Sequence, residues 1–512
     1  MKKRLFKSTL IVSSMTAISR VFGLIRDVVI ATFFGPGVGV DAFIVAFRIP
    51  NFLRRLFAEG GFSQAFVPIL SEYKAQRSHA EVKALVDQTT ATLSIVLFIV
   101  SIIGVLLAPI FIYVFAPGFS EDSAKQLLAG DMLRVTFPYI LFISLTAMAG
   151  GILNTYENFA VPAFTPVLLN LSMIGCAIWL APLLPEPIVA LAWGVFLAGI
   201  VQLLFQFPFL MQLNLFPTPG FNRDKEGVRR ILKLMLPTLF AVSITQINLL
   251  VDTIIASFLE TGSISWLYFS DRLVEFPMGV FGVALATVIL PSLSRQHVSG
   301  DQKAYFETMD WALRMVFLIA IPAALGLAVL AGPMLTTMFQ YNEFSTYDVE
   351  MAARSLMAYS VGLPAFIFIK ILASGFFSRQ DTKTPVKIGV VAMISNVVLN
   401  LLLVGPLQHA GLALATSLSA FINAGLLYYF LQKEGHYRPL AGWPGYLLKL
   451  VLAVVGMTFF LLVLPPDLLV WLDWGVLQRA MNLLLWVVAG MSAYFIILLL
   501  IGVRPGQLAA PH

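Results

Sequence analysis

Apolar stretches long enough to cross a membrane recur along this chain and are separated by short polar segments. Roughly 20 apolar residues cross a bilayer as a helix, so the pattern predicts about fourteen spans. They lie at 9–33, 39–60, 87–115, 132–153, 161–183, 187–211, 230–258, 265–291, 311–331, 351–376, 384–404, 408–431, 444–464 and 480–502. Residues 60–73 predict a further short helix. Because lipid cannot satisfy an exposed backbone, the spans must form a helical bundle. We therefore expect an all-α polytopic membrane protein.

The distribution of charge supports this fold class and orients the chain. Only 12% of the residues are charged and 59% are hydrophobic, against roughly a quarter charged in soluble domains. The net charge of +6 lies mostly in short segments between spans, so it does not indicate a nucleic-acid partner. Cations concentrate in alternate segments, and on the opposite side only Lys125 lies clear of a helix end. By the positive-inside rule, both termini are predicted to be cytoplasmic.

Parts of the sequence resemble one another at a spacing of roughly 220 residues. IRDVVIATFF (25–34) matches LVDTIIASFL (250–259), QAFVPILSEY (64–73) matches TVILPSLSRQ (287–296), and two later blocks follow in the same order. Six spans per unit give both units the same orientation, which predicts a parallel repeat. We expect an N-lobe at 1–222, a C-lobe at 223–438 and a C-terminal helix pair at 439–512. Similarity of apolar composition alone is the alternative explanation.

The first two spans carry more positive charge than a membrane segment usually tolerates. An arginine at bilayer depth costs at least a few kcal/mol, so it faces a protein interior or a water-filled cavity. Three acids, Asp27, Asp41 and Glu59, supply only part of the compensating charge. The excess predicts a cavity that binds an anion. The arginines concerned are Arg20, Arg26, Arg48, Arg54 and Arg55.

Helical spacing divides the charged residues of the second span into two faces. Asp41, Arg48 and Arg55 are spaced by seven residues and share one face, whereas Arg54 points elsewhere. Pro50 is expected to kink this helix, which weakens the prediction. We also expect Arg55 to pair with Glu59.

The predicted C-lobe offers charged candidates of its own. Arg272 either meets the N-lobe arginines across a cavity or pairs locally with Asp271 or Glu275. Lys370, in the tenth span, either serves the cavity or extends to the membrane interface.

A second polar set combines one carboxylate with neutral oxygens. Asp252 lies in the seventh span, Asn396 and Asn400 are one turn apart in the eleventh, and Thr416 is in the twelfth. Such a set suits a hard monovalent cation. Hydrogen bonding between helices explains it equally well.

No enzyme constellation emerges from the sequence. It contains no P-loop pattern, no Cys/His spacing for a metal and no Ser–His–Asp set, and we place all five histidines in loops or at the terminus. We therefore expect a transporter without enzymatic activity, driven by an ion gradient or by the membrane potential.

Five motifs resemble the MurJ (MviN) family of lipid II flippases, within the multidrug/oligosaccharidyl-lipid/polysaccharide exporter superfamily. They are SSMTAISRVFGLIRD, DAFIVAFRIPNFLRRLFAEGGFSQAFVPILSEY, SWLYFSDRLVEFP, GVALATVILPSLS and GFFSRQDTKTPVKI, and the resemblance covers essentially the whole chain. It implies movement of an undecaprenyl-pyrophosphate-linked peptidoglycan precursor from the cytoplasmic to the periplasmic leaflet of a bacterial inner membrane. Membrane lipid and the cell-wall synthesis machinery are implied partners.

The resemblance also implies site residues. Those for the substrate are Arg20, Arg26, Asp41, Arg54, Arg272, Ser265, Glu59, Asp271 and Lys370. A sodium ion proposed in some relatives would be held by Asp252, Asn396, Asn400, Thr416 and the main chain of Leu412. Asn400 stands where some relatives have an acid, which leaves one formal charge in the set. For the substrate-binding arginine of the second span, the resemblance singles out Arg54, whereas helical spacing favours Arg48 and Arg55.

Three other functions remain open from the sequence. A cation-coupled drug exporter of the same superfamily would usually lack the C-terminal helix pair, which the resemblance implies to form a groove for the lipid tail. A flippase for another polyprenyl-linked oligosaccharide would share the basic cavity. A scaffold protein of the cell-wall machinery would not need buried arginines.

Overall fold

The computed structural model describes residues 2–56, 62–218 and 226–503, with the backbone alone at 2–11 and 236–245. The chain divides into two compact units, Met1–Gly262 and Ser263–His512. Throughout the described ranges the regular secondary structure is helical and includes no strand. The predicted all-α class is confirmed.

In the part of the first unit that the structure describes there are ten α-helices, and an apolar core gathers α3, α4, α7 and α9 around Phe66, Leu85 and Ile152. The helices are α1 (Lys2–Phe34), α2 (Val38–Arg54), α3 (Ser63–Gln76), α4 (His79–Leu106), α5 (Ala108–Phe115), α6 (Ser123–Thr136), α7 (Tyr139–Thr155), α8 (Ala160–Gly175), α9 (Val189–Gln212) and α10 (Glu226–Ala256). The predicted short helix after the second span corresponds to α3.

The described residues of the second unit form nine α-helices, of which α15 and α16 are the longest. They are α11 (Ser263–Pro277), α12 (Val283–Ser299), α13 (Gln302–Val329), α14 (Ala331–Phe339), α15 (Thr346–Phe377), α16 (Lys383–Lys433), α17 (Trp443–Val463), α18 (Leu468–Leu472) and α19 (Val476–Leu500). A π-helical turn at Met278–Gly282 joins α11 to α12.

Each of the fourteen predicted spans corresponds to helix in the described residues. Within the described ranges, ten helical stretches are long and apolar enough to cross a membrane. One of them, α16, has 51 residues and is interrupted at Gln408, whose φ of 50° and ψ of −131° are not helical. A helix of that length would be more than twice the thickness of a bilayer core, so α16 supplies two spans. The other three predicted spans correspond to α1, α2 and α10.

Local sequence explains where several helices start. A capping box of Ser78 and Glu81 starts α4, and a second one, of Ser345 and Asp348, starts α15. In both, the serine and the acid satisfy amide groups that the first turn leaves unpaired. Pro50, which was expected to kink the second span, lies within α2, and the helix continues beyond it to Arg54.

Helix α10 belongs to the first unit, because it packs on α2, α3, α4 and α5. The repeat instead makes the seventh span the first helix of a C-lobe that begins at 223. Packing in the structure and similarity between repeats in the sequence are different criteria for dividing the chain. The lobe boundaries at 222 and 438, and the repeat itself, therefore stay predictions.

Candidate functional site

Two predicted binding arginines lie on α1 in different surroundings. Arg26 is buried, and its Nε and Nη2 donate to Asp27 Oδ1 at 3.0 and 2.7 Å. Its Nη1 donates to Asn170 Oδ1, 3.0 Å away on α8. Arg20 is exposed and makes no hydrogen bond or ion pair with any residue that the structure describes. An anion that binds Arg26 must therefore compete with Asp27, whereas Arg20 already faces outward.

Asp41 lies in a buried ion pair at the start of α2. Its side chain is 1% exposed, and Lys125 Nζ lies 3.1 Å from Asp41 Oδ2. The same oxygen accepts from the Gly262 amide at 2.8 Å. Lys125 Nζ also donates to Thr261 Oγ1 and lies 4.4 Å from the centre of the Phe119 ring. Asp41 therefore fastens the segment that follows α10, and its charge is balanced within the first unit.

The face of α2 predicted from the seven-residue spacing turns toward α10. Arg48 Nη1 donates to Thr253 Oγ1, and Arg55 Nη1 donates to Gln246 Oε1 at 3.3 Å. The partners are also seven residues apart, in the reverse order, as expected for antiparallel helices. Arg48 and Arg55 thus tie α2 to α10, whereas Asp41, at the start of the same face, holds Lys125 and the Gly262 amide. We refer to Asp41, Arg48 and Arg55 as the α2 row.

Arg54 lies outside the α2 row, as its spacing predicts. Its Nε donates to Asn51 Oδ1 at 2.9 Å, one turn earlier on α2, and its side chain is half-buried. The structure thus separates two adjacent arginines, because Arg55 reaches α10 and Arg54 remains beside its own helix. The family resemblance makes the same distinction.

In the second unit, Arg272 is paired with a neighbour on its own helix. Its Nη1 donates to Glu275 Oε2 at 2.7 Å, and its guanidinium carbon lies 4.9 Å from the centre of the Tyr268 ring. The local ion pair weighed from the sequence is therefore present. The side chains of Arg272 and Glu275 are 33% and 41% exposed, which leaves part of the guanidinium accessible.

The other predicted residues of the second unit differ in burial. Ser265 is fully buried in α11, and Asp271 is half-buried on the same helix. Lys370 is half-buried in α15, and its ammonium group makes no hydrogen bond or ion pair with the described part of the chain.

Four of the predicted cation ligands, one of them the main chain of Leu412, lie together on α16. Asn400 Nδ2 donates to Asn396 Oδ1 at 3.1 Å, and Asn396 Nδ2 donates to Thr416 Oγ1 at 3.4 Å. Thr416 Oγ1 in turn donates to the main-chain oxygen of Leu412 at 3.0 Å. These neutral oxygens are ligands that a hard cation accepts. The only carboxylate of the set, Asp252, lies on α10 in the first unit.

Some predictions need correction, and others concern residues outside the described ranges. Glu59, and with it the predicted Arg55–Glu59 pair, falls outside the described residues. Lys125 is not a loop residue, because it lies in the first turn of α6 with its side chain buried. His79, His297 and His409 are not in loops either, because they lie in α4, α12 and α16. His409 is buried, with Nε2 3.0 Å from the main-chain oxygen of Met351.

Sequence reasoning missed four residues that complete these contacts: Asn170, Lys125, Thr253 and Gln246. Each of the three uncharged ones is a polar residue in a largely apolar helix, which is the signal that could have found them. Their partners lie up to 205 residues away in the chain, so spacing along one helix could not identify them.

Comparison with known proteins assigns the family. The model of the family described as "Lipid II flippase MurJ" matches residues 30–485. A Vibrio cholerae protein named "Probable lipid II flippase MurJ" is 50% identical over 515 residues, which cover 99% of this chain and 98% of that protein. The chain belongs to the MurJ lipid II flippase family. A MurJ of Burkholderia cenocepacia is 46% identical and covers 87% of each chain.

Solved structures agree with the MurJ assignment and place its fold among other transporters. A lipid II flippase MurJ in an inward-closed conformation matches 95% of this chain and 98% of its own, with a TM-score of 0.81 and 27% identity. An inward-facing multidrug transporter of the MATE family matches 83% of this chain with a TM-score of 0.68 and 15% identity. The second likeness concerns the fold alone. The predicted multi-pass membrane protein and its membership of the MurJ family are thereby confirmed.

Proposed function

We propose that this MurJ-family chain moves lipid II from the cytoplasmic to the periplasmic leaflet of the bacterial inner membrane by alternating access. The observation that carries the proposal is the 50% identity, over nearly the whole chain, to a protein named as a probable lipid II flippase. In this proposal both termini are cytoplasmic, the cell-wall synthesis machinery uses the product, and no covalent bond is made or broken.

Arginines suit the most highly charged part of this substrate. A pyrophosphate presents closely spaced oxygens, and a planar guanidinium donates to such oxygens in pairs. We assign this contact to Arg20, Arg26, Arg54 and Arg272. Arg20 supports the assignment because it is exposed without a described partner, and Arg272 because it is about one-third exposed. Asp41, Glu59, Asp271, Ser265 and Lys370 are proposed to complete the site.

Substrate binding would control the conformational cycle through charge. Unneutralised arginines repel one another more strongly as water leaves the site, because the effective dielectric constant falls. The pyrophosphate removes this repulsion, so the loaded site closes more readily than the empty one. We further propose that the C-terminal pair, α17 and α19, holds the polyprenyl tail.

Reconstituted transport tests the function. The purified chain in vesicles should move lipid II to the leaflet where an added enzyme can modify its head group. Arg272→Gln should lower this rate, whereas Arg354→Gln, which changes an exposed pair on α15, should not. Equal rates in vesicles with and without the protein would refute the proposal. Faster movement of another polyprenyl-linked oligosaccharide, or export of a cationic dye instead, would favour the corresponding rival.

The energy source can be tested in the same vesicles. We propose that the membrane potential, or a monovalent cation held by Asp252, Asn396, Asn400 and Thr416, resets the cycle. The oxygens of Asn396, Thr416 and Leu412 fit such an ion chemically. Replacing sodium by choline at constant potential should slow transport if the cation is required, and Asp252→Asn should abolish that sodium dependence. Collapsing the membrane potential at constant sodium tests whether the potential resets the cycle instead.

A further inference from the structure

The two C-terminal helices pack on α13 chiefly through apolar side chains. Met315 and Leu318 of α13 lie in one buried cluster with Leu450 and Met457 of α17. In a membrane, lipid tails offer nearly equivalent apolar contacts, so such packing alone does little to fix one helix against another. Polar ties between the helices therefore decide how firmly the pair is held.

Asp310 provides such a tie at the start of the apolar part of α13. Its side chain is 3% exposed, and Oδ1 accepts three hydrogen bonds. They come from Tyr437 Oη at 2.8 Å, the Leu440 amide at 3.0 Å and Trp443 Nε1 at 2.7 Å. All three donors belong to the segment that leads into α17. Hydrogen bonds to a carboxylate are stronger than neutral ones, so this segment is held firmly.

Arg314, one turn further along α13, completes the arrangement. Its Nε donates to Asp310 Oδ2 at 2.7 Å, and its Nη2 donates to the main-chain oxygen of Ala441 at 3.0 Å. The guanidinium carbon lies 5.0 Å from the centre of the Trp443 ring and 5.4 Å from that of Tyr446. Tyr446 Oη donates to the main-chain oxygen of Arg314 at 2.7 Å. We call Asp310, Arg314 and the residues they hold within 437–446 the α13 latch.

The α13 latch is built to hold a segment and not to bind a ligand. The charges of Asp310 and Arg314 neutralise each other, and both oxygens of Asp310 are occupied by donors of the chain. Burial, and then the hydrogen bond to the Asp310 carboxylate, raise the pKa of Tyr437, so its hydroxyl stays protonated and continues to donate. What the latch positions is the start of α17, and through α17 the helix α19 packed against it.

We propose that Asp310 and Arg314 are positioning residues for the lipid tail of the substrate. This inference rests on the proposed function, in which α17 and α19 hold that tail. A firmly held pair offers the tail one fixed apolar surface, whereas a loosened pair would offer a shifting one. Head-group binding involves other residues, so loosening the latch should harm long-tailed substrates and spare short-tailed ones.

Transport of two substrates by the full-length chain in vesicles tests the proposal. The substrates are lipid II with its natural tail and a farnesyl-tailed analogue with the same head group. Asp310→Asn keeps the size of the side chain but removes the charge and sets an amide group against Arg314. We expect roughly a tenfold lower rate for the long-tailed substrate, as is typical when a charged hydrogen-bond network is lost. The rate for the short-tailed analogue should change less than about twofold.

Two milder variants and a matched control accompany Asp310→Asn. Trp443→Phe removes one donor to Asp310 and keeps an aromatic ring, and Arg314→Lys keeps the charge but loses the planar fork. If Asp310→Asn does not fold, these two variants decide the question by the same ratio of rates. Arg354→Gln, whose Glu350 pair is more than half exposed, should leave both rates unchanged.

A distance measurement reports on the latch without transport. Cys176 is the chain's one cysteine, so a Cys176→Ala background allows spin labels at Leu325 on α13 and Leu452 on α17, both exposed. The distance distribution should be narrow in the parent chain and broad with Asp310→Asn. An unchanged distribution would overturn the proposal.

The ratio of the two rates separates the remaining outcomes. An equal loss for both tails would show that the latch merely stabilises the fold, and no loss for either would show that it does not position the tail. Both results would overturn the inference and leave the proposed function intact. If the parent chain moves neither substrate, the proposed function fails instead.

Discussion

The α13 latch and the arginines of α1 place charge inside the same membrane protein in opposite ways. Arg314 donates to a carboxylate and a carbonyl and stacks on two aromatic rings, and Asp310 accepts from four donors. Arg20 is exposed and has no described partner. Arg26 lies between these extremes, since Asp27 and Asn170 bind it. The comparison indicates that a saturated charge holds the fold, whereas an unsaturated one is available to a ligand.

The largest effect is expected for Arg26, whose charge both stabilises the fold and is proposed to bind the substrate. Arg26→Ala leaves the carboxylate of Asp27, 2% exposed, without its cation. Removing one partner of a buried ion pair typically costs about 3–5 kcal/mol. Thermal unfolding in detergent should show this loss, and transport should fall as well. The double variant Arg26→Ala, Asp27→Ala should regain most of the stability but not the transport. Recovery of both would show that Arg26 only neutralises Asp27.

A smaller loss of stability is expected for Lys125→Met. This variant removes the cation from Asp41 but leaves the hydrogen bond from the Gly262 amide. The loss of one charged hydrogen bond costs about 1.5–3 kcal/mol. Denaturation should reveal it, and Lys125→Arg should restore part of it because the charge is kept. A variant as stable as the parent would show that Asp41 does not depend on Lys125.

Substitution of Arg20 should separate an effect on substrate binding from an effect on stability most clearly. Arg20→Gln should lower lipid II transport about tenfold or more, which corresponds to about 1.4 kcal/mol. Its free energy of unfolding should change by less than about 0.5 kcal/mol, as for most exposed substitutions. Reconstituted transport and thermal unfolding of the same preparation measure both quantities. A stability loss equal to that of Arg26→Ala would contradict the distinction drawn between the two arginines.

The sequence predicted the helices well because membrane-spanning length is a local property. Each predicted span corresponds to helix, and the split of α16 follows from its excessive length for one span. Spacing by seven also predicted that Asp41, Arg48 and Arg55 share a face. It could not predict that this face meets α10, because that contact joins residues about two hundred positions apart.

The pairing of Arg26 shows a second limit of sequence reasoning. Neighbours in a helix normally point in different directions, so the pair with Asp27 was not expected. The long side chain of an arginine can nevertheless bend so that its guanidinium reaches an adjacent residue, as in the buried pair of Arg26 and Asp27. Arg272 and Glu275, three residues apart, follow the usual spacing, and their pair was one of the predicted alternatives. The three-dimensional surroundings decide which of these charges is saturated.

The two arginine contacts of the α2 row with α10 should each contribute only modestly to stability. A double-mutant cycle with Arg48→Leu and Thr253→Val isolates the hydrogen bond between their side chains. Polar contacts between membrane helices average about 0.6 kcal/mol in such cycles, and we expect a coupling of that size. Transport should decline less than with Arg20→Gln, because Arg48 is already engaged by α10. A coupling of zero would mean that this contact does not hold α10.

The smallest effect is expected for Glu72 and Arg230, an ion pair between α3 and α10 in which both side chains are about 40% exposed. The hydrogen bonds from Arg230 lower the pKa of Glu72 below its ordinary value of 4.5. A lowered folded-state pKa means that the pair stabilises the fold above the unfolded-state pKa and loses this effect as the pH falls through the folded-state value. Glu72→Gln should therefore unfold slightly more easily than the parent at neutral pH, and equally in strong acid. A difference that persisted in acid would assign the effect to packing of the side chain and not to its charge.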